Sequence, residues 1–398
     1  MAAKIIHYDC GVACIYNEDG TLSSIGEMLV DELRNRQHDF ALVYFSKASR
    51  TGEEIATLMK ECAPGLNYAG CSTAGEITPA GLLDGSVQVI LFPIRNFHIE
   101  GIRLPSPSQH SIEDISKQVA TFRKRFVAAN GNGRSIFALT MMDGLSFSEE
   151  ATTAAVHWGL DNIPLLGGSA GDDLDLINTS LVLGGEVFQT DSIVLLAATR
   201  LQTHIFKTDN FVPTDDKLVV TRSDPEKRIV HEFNAAPAAT VFAEIVGVDP
   251  DKLSPQSFAS HPLVMRVGGE YYCRSVQKVN EDNSLSFFCA VDDGIVLTVA
   301  QPTGMARSTE KCLLNVATRL GKIDFILGFD CVLRRVDARN RQVTQKIATL
   351  YKQNNFIGFN TYGEQYRSLH LNQTLTGIAF AEPGLVNSAE LIAHEDVA

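Results

Sequence analysis

The chain has 398 residues, 45% hydrophobic and 20% charged, which suits two domains with substantial cores and excludes general disorder. Its 34 basic against 47 acidic residues leave a net charge of −13, and a surface that acidic repels phosphate backbones, which argues against nucleic acid as the main partner. The triplet Arg123-Lys124-Arg125 falls on an expected helix and reads as a solvated face. The eight cysteines, at 10, 14, 62, 71, 273, 289, 312 and 331, form neither C-x-x-C nor C-x-x-C-H, which excludes zinc-ribbon, thioredoxin and covalent haem c patterns. Cys10 and Cys14 make one isolated C-x₃-C pair, and the set reads as reduced thiols. The first twenty residues lack the apolar core of a signal peptide. Runs such as Ile193–Ala198 and Ile295–Ala300 are too short to span a bilayer, so the expected compartment is the cytosol, with no membrane partner.

In chain order, Ile25, Met28, Leu29 and Leu33 recur at helical spacing, and Ala41–Phe45 reads as a short buried strand. A second helix over 53–62 stops at Pro64-Gly65, and strands follow at 66–71 and 87–92. Next come a helix near 112–129, a strand at 135–142, a helix at 147–159 and a strand at 163–168. Leu181 to Ala198 reads as a hairpin turning near Gln189-Thr190-Asp191. The stretch 217–300 is strand-rich, with a short helix from Pro237 to Gly247 and turns at Asp282-Asn283 and Asp292-Asp293-Gly294. Helices near 306–320 and 340–353 then alternate with strands at 323–331, 355–360 and 374–381.

This order hides a repeat. Phe40-Ala41-Leu42-Val43 returns as Phe137-Ala138-Leu139-Thr140, and Glu53-Glu54 as Glu149-Glu150. Gly70-Cys71-Ser72-Thr73-Ala74-Gly75-Glu76 returns, one residue shorter, as Gly167-Gly168-Ser169-Ala170-Gly171-Asp172. Residues 67–76 align without gaps on Asn355-Phe356-Ile357-Gly358-Phe359-Asn360-Thr361-Tyr362-Gly363-Glu364, with five of ten positions identical. Ordered matches in three places mean repeated local structure. The expected fold is α/β, layered sheets with outer helices, built from three copies of a helix-strand-helix-strand unit plus a β-rich insertion. Arg222-Ser223-Asp224-Pro225-Glu226 reads as a polar turn and places the domain division at 222/223.

Gly167-Gly168-Ser169-Ala170-Gly171 fits the G-x-S-x-G nucleophile elbow, but Asp172-Asp173-Leu174-Asp175 does not open a long apolar helix, and the other two copies lack the Ser in that frame. Two readings of the turns stay open. Their glycines permit tight strand exits, or their backbone N–H groups cradle a ligand with help from Ser72, Thr73, Ser169, Asn360 and Thr361. Glu76 and Glu364, with Asp172 or Asp173 in the second copy, are positioned to receive an amine or to cap backbone. The ten histidines show no pair at metal spacing.

At these turns, and at Asn372-Gln373-Thr374, the sequence resembles the FIST family over about residues 25–382. The resemblance implies an N-terminal FIST domain at 1–222 holding two repeats, and a C-terminal FIST domain at 223–398. It also implies small-ligand sensing, often proposed for amino acids, and no catalysis. The expected ligand-binding residues are Gly70, Cys71, Ser72, Thr73, Gly168, Ser169, Asn360, Thr361, Gly363 and Glu364. Relatives are often fused to kinase, cyclase or chemotaxis modules, whereas here the resemblance covers nearly the whole chain. A FIST protein of this size looks like the bacterial nitric-oxide-sensing haem proteins (NosP). That subgroup binds haem b non-covalently and regulates a histidine kinase in trans, and so cyclic-di-GMP output and biofilm behaviour. If haem binds, the expected axial ligand is a neutral imidazole, His370 first and His261 second. His370 has Arg367 nearby for a propionate and Asn372 or Gln373 to orient its second nitrogen; His261 sits in Ser260-His261-Pro262. The alternatives are a haem-free FIST sensor of an amino acid or other small metabolite, and a hydrolase using Ser169.

Overall fold

The computed structural model describes residues 2–381. The first unit runs β1 (Lys4–His7), β2 (Ala13–Asn17), α1 (Leu22–Asn35), β3 (His38–Ser46), α2 (Gly52–Cys62), β4 (Asn67–Thr73), β5 (Glu76–Thr78), β6 (Gly81–Leu83) and β7 (Val87–Pro93). The second repeats it as β8 (Phe97–Leu104), α3 (Ile112–Asn130), β9 (Ser135–Asp143), α4 (Glu149–Leu160), β10 (Leu165–Ala170), β11 (Leu181–Leu183), β12 (Glu186–Phe188) and β13 (Ser192–Thr199). The third opens with β14 (Gln202–Thr208) and is interrupted by the β-rich insertion. That insertion holds β15 (Phe211–Asp224), β16 (Ile229–Phe233), β17 (Ala236–Pro237), α5 (Ala238–Val246), α6 (Pro255–Ser260), β18 (Leu263–Val267), β19 (Glu270–Arg274), β20 (Val276–Val279), β21 (Leu285–Phe287) and β22 (Val296–Pro302). The third unit resumes as α7 (Met305–Leu320), β23 (Phe325–Cys331), α8 (Val332–Asn340), α9 (Thr344–Gln353), β24 (Phe356–Thr361), β25 (Glu364–Tyr366), β26 (Leu369–Leu371) and β27 (Leu375–Ala381).

Local chemistry sets the helix starts. Thr51 and Glu54 form a capping box at α2, with the Thr51 hydroxyl accepting from the Glu54 N–H at 3.3 Å and the Glu54 carboxylate accepting from the Thr51 N–H at 2.8 Å. Ser111 caps α3 by accepting from the Asp114 N–H. The central strands are continuous apolar runs because both their faces are covered. One face of each unit's sheet meets a shared core that includes Phe92, Phe97, Phe325, Phe359 and Phe380. The other face lies under a helix pair: α1 and α2 on the first sheet, α3 and α4 on the second, α7 and α9 on the third. The layered α/β architecture expected from the sequence is present, with the third unit joined to the first two around one core.

The three sheets share one topology. Each has a parallel central pair, β3/β4, β9/β10 or β23/β24, flanked on the β3, β9 or β23 side by antiparallel strands. The short hairpin after each Gly turn leaves its own unit. Hairpin β5–β6 joins β24 of the third sheet, β11–β12 joins β4 of the first, and β25–β26 joins β10 of the second. The exchange is cyclic and closed. The 181–198 hairpin expected from the sequence is therefore two separate pairings: β11 and β12 turn at Gly184-Gly185 in the first sheet, while β13 lies in the second.

The repeated glycines have a steric cause. A Cβ at Gly70, Gly167 or Gly358 would meet the carbonyl oxygen of Val43, Thr140 or Gly328 on the neighbouring parallel strand, at 2.3, 2.1 and 1.8 Å. The turns then lock to one another. Ala74 N–H donates to Asn360 O at 2.9 Å, Gly171 N–H to Ser72 O at 3.1 Å, and Tyr362 N–H to Ser169 O at 3.1 Å, closing a ring of backbone bonds. Each hairpin leaves its sheet through a left-handed residue, Gly85, Thr190 or Gln373.

The insertion forms an eight-stranded sheet, β19-β18-β22-β15-β16-β21-β20 with β17 paired to β16 beside that path, and has its own core under α5 and α6. The segment Arg222–Glu226, expected as a polar turn, comprises the end of β15 and the start of its connection to β16, inside this sheet. The helix expected near 340–353 is α9, and the preceding helix α8, directly after β23, was not expected from the sequence.

Candidate functional site

The cyclic arrangement gives an internal control. Register places three cross-strand pairs at one equivalent position, each beside the repeated Gly. These are Ile77–Leu82 beside Gly358, Val182–Val187 beside Gly70, and Gln365–His370 beside Gly167. The first two are apolar and pack beneath helices: Ile77 and Leu82 in the core under α7 and α9, and Val182 and Val187 in the core under α1 and α2. The third is polar, yet equally buried, with His370 4% exposed and Gln365 wholly buried. Burying polar groups costs free energy unless they are paired, so the exchange of an aliphatic pair for Gln–His marks this unit for a task other than packing.

Gln365 holds the ring. Its Nε2 lies 3.1 Å from His370 Nδ1 and donates to Ser169 Oγ at 3.0 Å. Rotating the amide by half a turn presents Oε1 to Nδ1 instead, so the pair accommodates either imidazole tautomer. The far side of the ring edges on Gly363, where a Cβ would lie 2.2 Å from His370 Cε1 and 3.1 Å from Asn372 Nδ2. Four buried polar atoms on these residues lack a hydrogen-bond partner: His370 Nε2, Gln365 Oε1, Asn372 Oδ1 and Gln373 Nε2.

Charge lines the other wall. Arg228, 3% exposed, reaches from the turn between β15 and β16 to the first residues of α4. It donates to Glu149 Oε2 and Glu150 Oε2, both at 2.6 Å, and to Phe288 O at 2.8 Å. Glu150 also accepts from the Ala290 N–H at 2.9 Å. Burial opposes ionisation of Glu150, but His370, Arg228 and the Ala290 N–H outweigh it and hold its pKa below the usual carboxylate value. Burial pushes the His370 imidazole down; Glu150 and Glu149 pull it up, Arg228 and Arg274 push it further down, and the net direction is down, toward a neutral ring. The arrangement thus brings a buried imidazole and unpartnered amide atoms beside charges of both signs.

The other expected residues serve the ring. The N–H groups of Ser72, Ser169 and Asn360 donate to Ser180 O, Gly363 O and Gly75 O, so these amides are already engaged. Gly70, Cys71, Ser72 and Thr73 lie in β4 and Gly168 in β10, all buried strand positions. Asn360 Oδ1 accepts from Arg335 Nη1 at 2.8 Å. Glu76 and Glu364 are equivalent and fully buried. Glu76 bonds Thr73 Oγ1 and Ser86 Oγ, both at 2.5 Å, and Glu364 bonds the hydroxyls of Thr361 and Thr374. Burial raises Glu76 to about 7 and Glu364 to about 8. In the second unit the register puts Leu181 at that position, in place of Asp172 or Asp173, and Asp143 takes over by accepting from Thr179 Oγ1 and the Thr190 N–H. Asp172 instead bonds the Tyr362 hydroxyl.

Ser169 is the penultimate residue of a strand that leads into a loop, and Gln365 stands between it and His370, so a nucleophile elbow with an adjacent base is not formed. His261 caps α6, with Nδ1 3.1 Å from Ser257 O. Arg367 stacks over Tyr366, with CZ 5.5 Å from the ring centroid. For haem, His370 supplies a buried imidazole with an unpartnered Nε2, but as packed here it is surrounded by Gly363, amides and ionised groups, whereas a macrocycle needs apolar walls and room beside the ring. Among the described residues no group of three His, Cys, Asp or Glu is arranged to hold a metal ion, and no helix is long and apolar enough to cross a membrane.

Gln365, Glu149, Glu150, Arg228 and Arg274 were not singled out as site residues by the sequence. The gapless offset of 288 between residues 67 and 355 extends to Ile77/Gln365 and Leu82/His370, and that comparison carries the signal. A search of curated proteins gives no match. The structure of PurLQS from Thermotoga maritima aligns over 96% of this chain and 75% of that chain, at 10% identity and a TM-score of 0.19, too low to bear on the fold. The family model of the FIST N domain matches residues 39–236 and that of the FIST C domain residues 238–367. With its repeats, its Gly ring and both matches in place, the chain belongs to the FIST family of sensory domains that bind small ligands.

Proposed function

We propose that the protein is a cytosolic sensor whose ligand site is the compartment of Gln365, His370, Asn372 and Gln373 under α4, closed by Arg228. The observation that carries this reading is the buried Gln365–His370 pair where the other two units hold Ile77–Leu82 and Val182–Val187. The ligand class is a small zwitterion such as an amino acid, whose ammonium group suits Glu149 and Glu150 and whose carboxylate suits Arg274. The test is the double variant Gln365→Ile/His370→Leu, which installs the first unit's own pair. Thermal unfolding should stay unchanged or rise, since orphaned polar atoms cost about 1–3 kcal/mol each. Stabilisation by amino acids in a screen should disappear. A variant that still responds to the same ligands removes the site from this compartment.

The second reading is haem b at His370, with nitric oxide as the signal and a histidine kinase feeding cyclic-di-GMP output as the partner. The unpartnered Nε2 of a neutral, buried His370 favours it. It requires the insertion to draw back and open a slot. Titration with hemin should then give a Soret band that His370→Ala abolishes, and kinase autophosphorylation should differ between ligand states.

A further inference from the structure

The helix pair of the first unit leaves a groove of about 820 Å³ along its outer seam, remote from the His370 compartment. Its floor is apolar: Leu22, Gly26 and Val30 from α1, with Leu58 and Cys62 from α2. These positions recur at helical spacing on the two facing helices, and Gly26 lets α1 approach Cys62, since a Cβ there would lie 2.8 Å from the Cys62 sulfur. The lining spans residues 22–34 of α1 and 53–62 of α2, roughly 18 Å and 14 Å of helix, which matches two to three turns of a third helix. The seam between α3 and α4 contrasts with it, because Gly159 there sits directly on Val119 and Ser116 O.

The rim decides the partner. Glu27, Glu53, Glu54 and Glu61 are all exposed along it, and Arg34 is its one cation. Glu53 and Glu54 also sit in the first turn of α2, where acidic residues favour the helix dipole, and Glu54 serves the capping box. Glu27 and Glu61 lie mid-helix and at the far end of α2, where no cap needs them. A second copy docked through the same groove would set glutamates against glutamates. Residues 382–398 are excluded by the same logic, since they carry Glu382, Glu390, Glu395 and Asp396 and no Lys or Arg.

We infer that this groove is a docking site for an amphipathic helix of a partner protein, with an apolar stripe flanked by Lys and Arg. Apolar side chains seat in the floor and the flanking cations meet the glutamate rim, the helix-in-groove mode of recognition.

The test uses the full chain and two labelled synthetic peptides with the same Leu stripe, one flanked by Lys and the other by Glu, followed by fluorescence anisotropy. The Lys peptide should bind about tenfold or more tightly than the Glu peptide, and salt should weaken it. It should also slow the reaction of the Cys62 thiol with a maleimide. Glu27→Lys/Glu61→Lys should reverse the peptide preference, and Val30→Asp should weaken both peptides, with circular dichroism confirming that each variant is folded. Equal binding of the two peptides, no binding of either, or a preference untouched by the charge reversal overturns the proposal. So does sedimentation showing a dimer that Val30→Asp dissociates, which would make the face an interface between copies. None of these readouts involves the His370 compartment, so failure here is distinguishable from failure there.

Discussion

Glu76 and Glu364 show how position alters a side chain's chemistry. Thr73 Oγ1 has a second acceptor in Phe45 O at 3.4 Å, which leaves a lone pair for a protonated Glu76. Burial favours that neutral form, with pKa values of about 7 and about 8 against an unfolded value near 4.5. The folded state then binds protons more tightly than the unfolded state, so stability is fully present at low pH and lost as pH rises through about 7 to 8. Between about pH 6 and pH 9 the wild type should lose on the order of a few kcal/mol by urea unfolding. Glu76→Gln/Glu364→Gln should flatten that slope, and an unchanged slope would refute the assignment. Both glutamates were visible in the sequence as repeated acids, because they fall inside the gapless match. Their lack of any ion-pair role was invisible, since it depends on hydroxyls at residues 86 and 374 reached only through the hairpins. His370 was legible as a candidate, but its partner Gln365 was not, because residue type alone does not reveal that its neighbours elsewhere are Ile and Val.

The α4 start and the β15–β16 turn are tied by Arg228, a non-glycine residue held at φ 55°. Removing the guanidinium strands two carboxylates, so Arg228→Ala should cost about 3–5 kcal/mol. Adding Glu149→Gln should recover part of that loss in chemical denaturation, and no recovery would mean that Arg228 acts through packing alone. At this scale the sequence reads well where periodicity is strong: the helices at 22–35, 112–130 and 305–320 and the central strands follow directly from apolar spacing. It fails at β5–β6, β11–β12 and β25–β26, whose three-residue strands carry no period and whose partners lie in other units. Helix α8 was equally hidden, because buried Arg334 and Arg335 read as surface charge until Asp330, Asn210 and Asn360 are seen around them.

At the scale of the whole molecule, three units share one core and lend one another their hairpins, so no unit completes its own sheet. The three units should unfold in one cooperative step. A fragment of residues 1–210 would lack both the acceptor of β5–β6 and the donor of β25–β26, and circular dichroism should show no cooperative thermal transition for it. A cooperative melt of that fragment would show that the exchange is dispensable. The closed ring also has a consequence for synthesis. Glu76 pairs with Phe359, a separation of 283 residues. At about 5–20 residues per second, a ribosome takes roughly 15 to 60 s to supply that partner strand. For that interval Ile77 and Leu82 have no sheet to join, so the nascent chain carries an unsatisfied edge until the third unit emerges to complete the first.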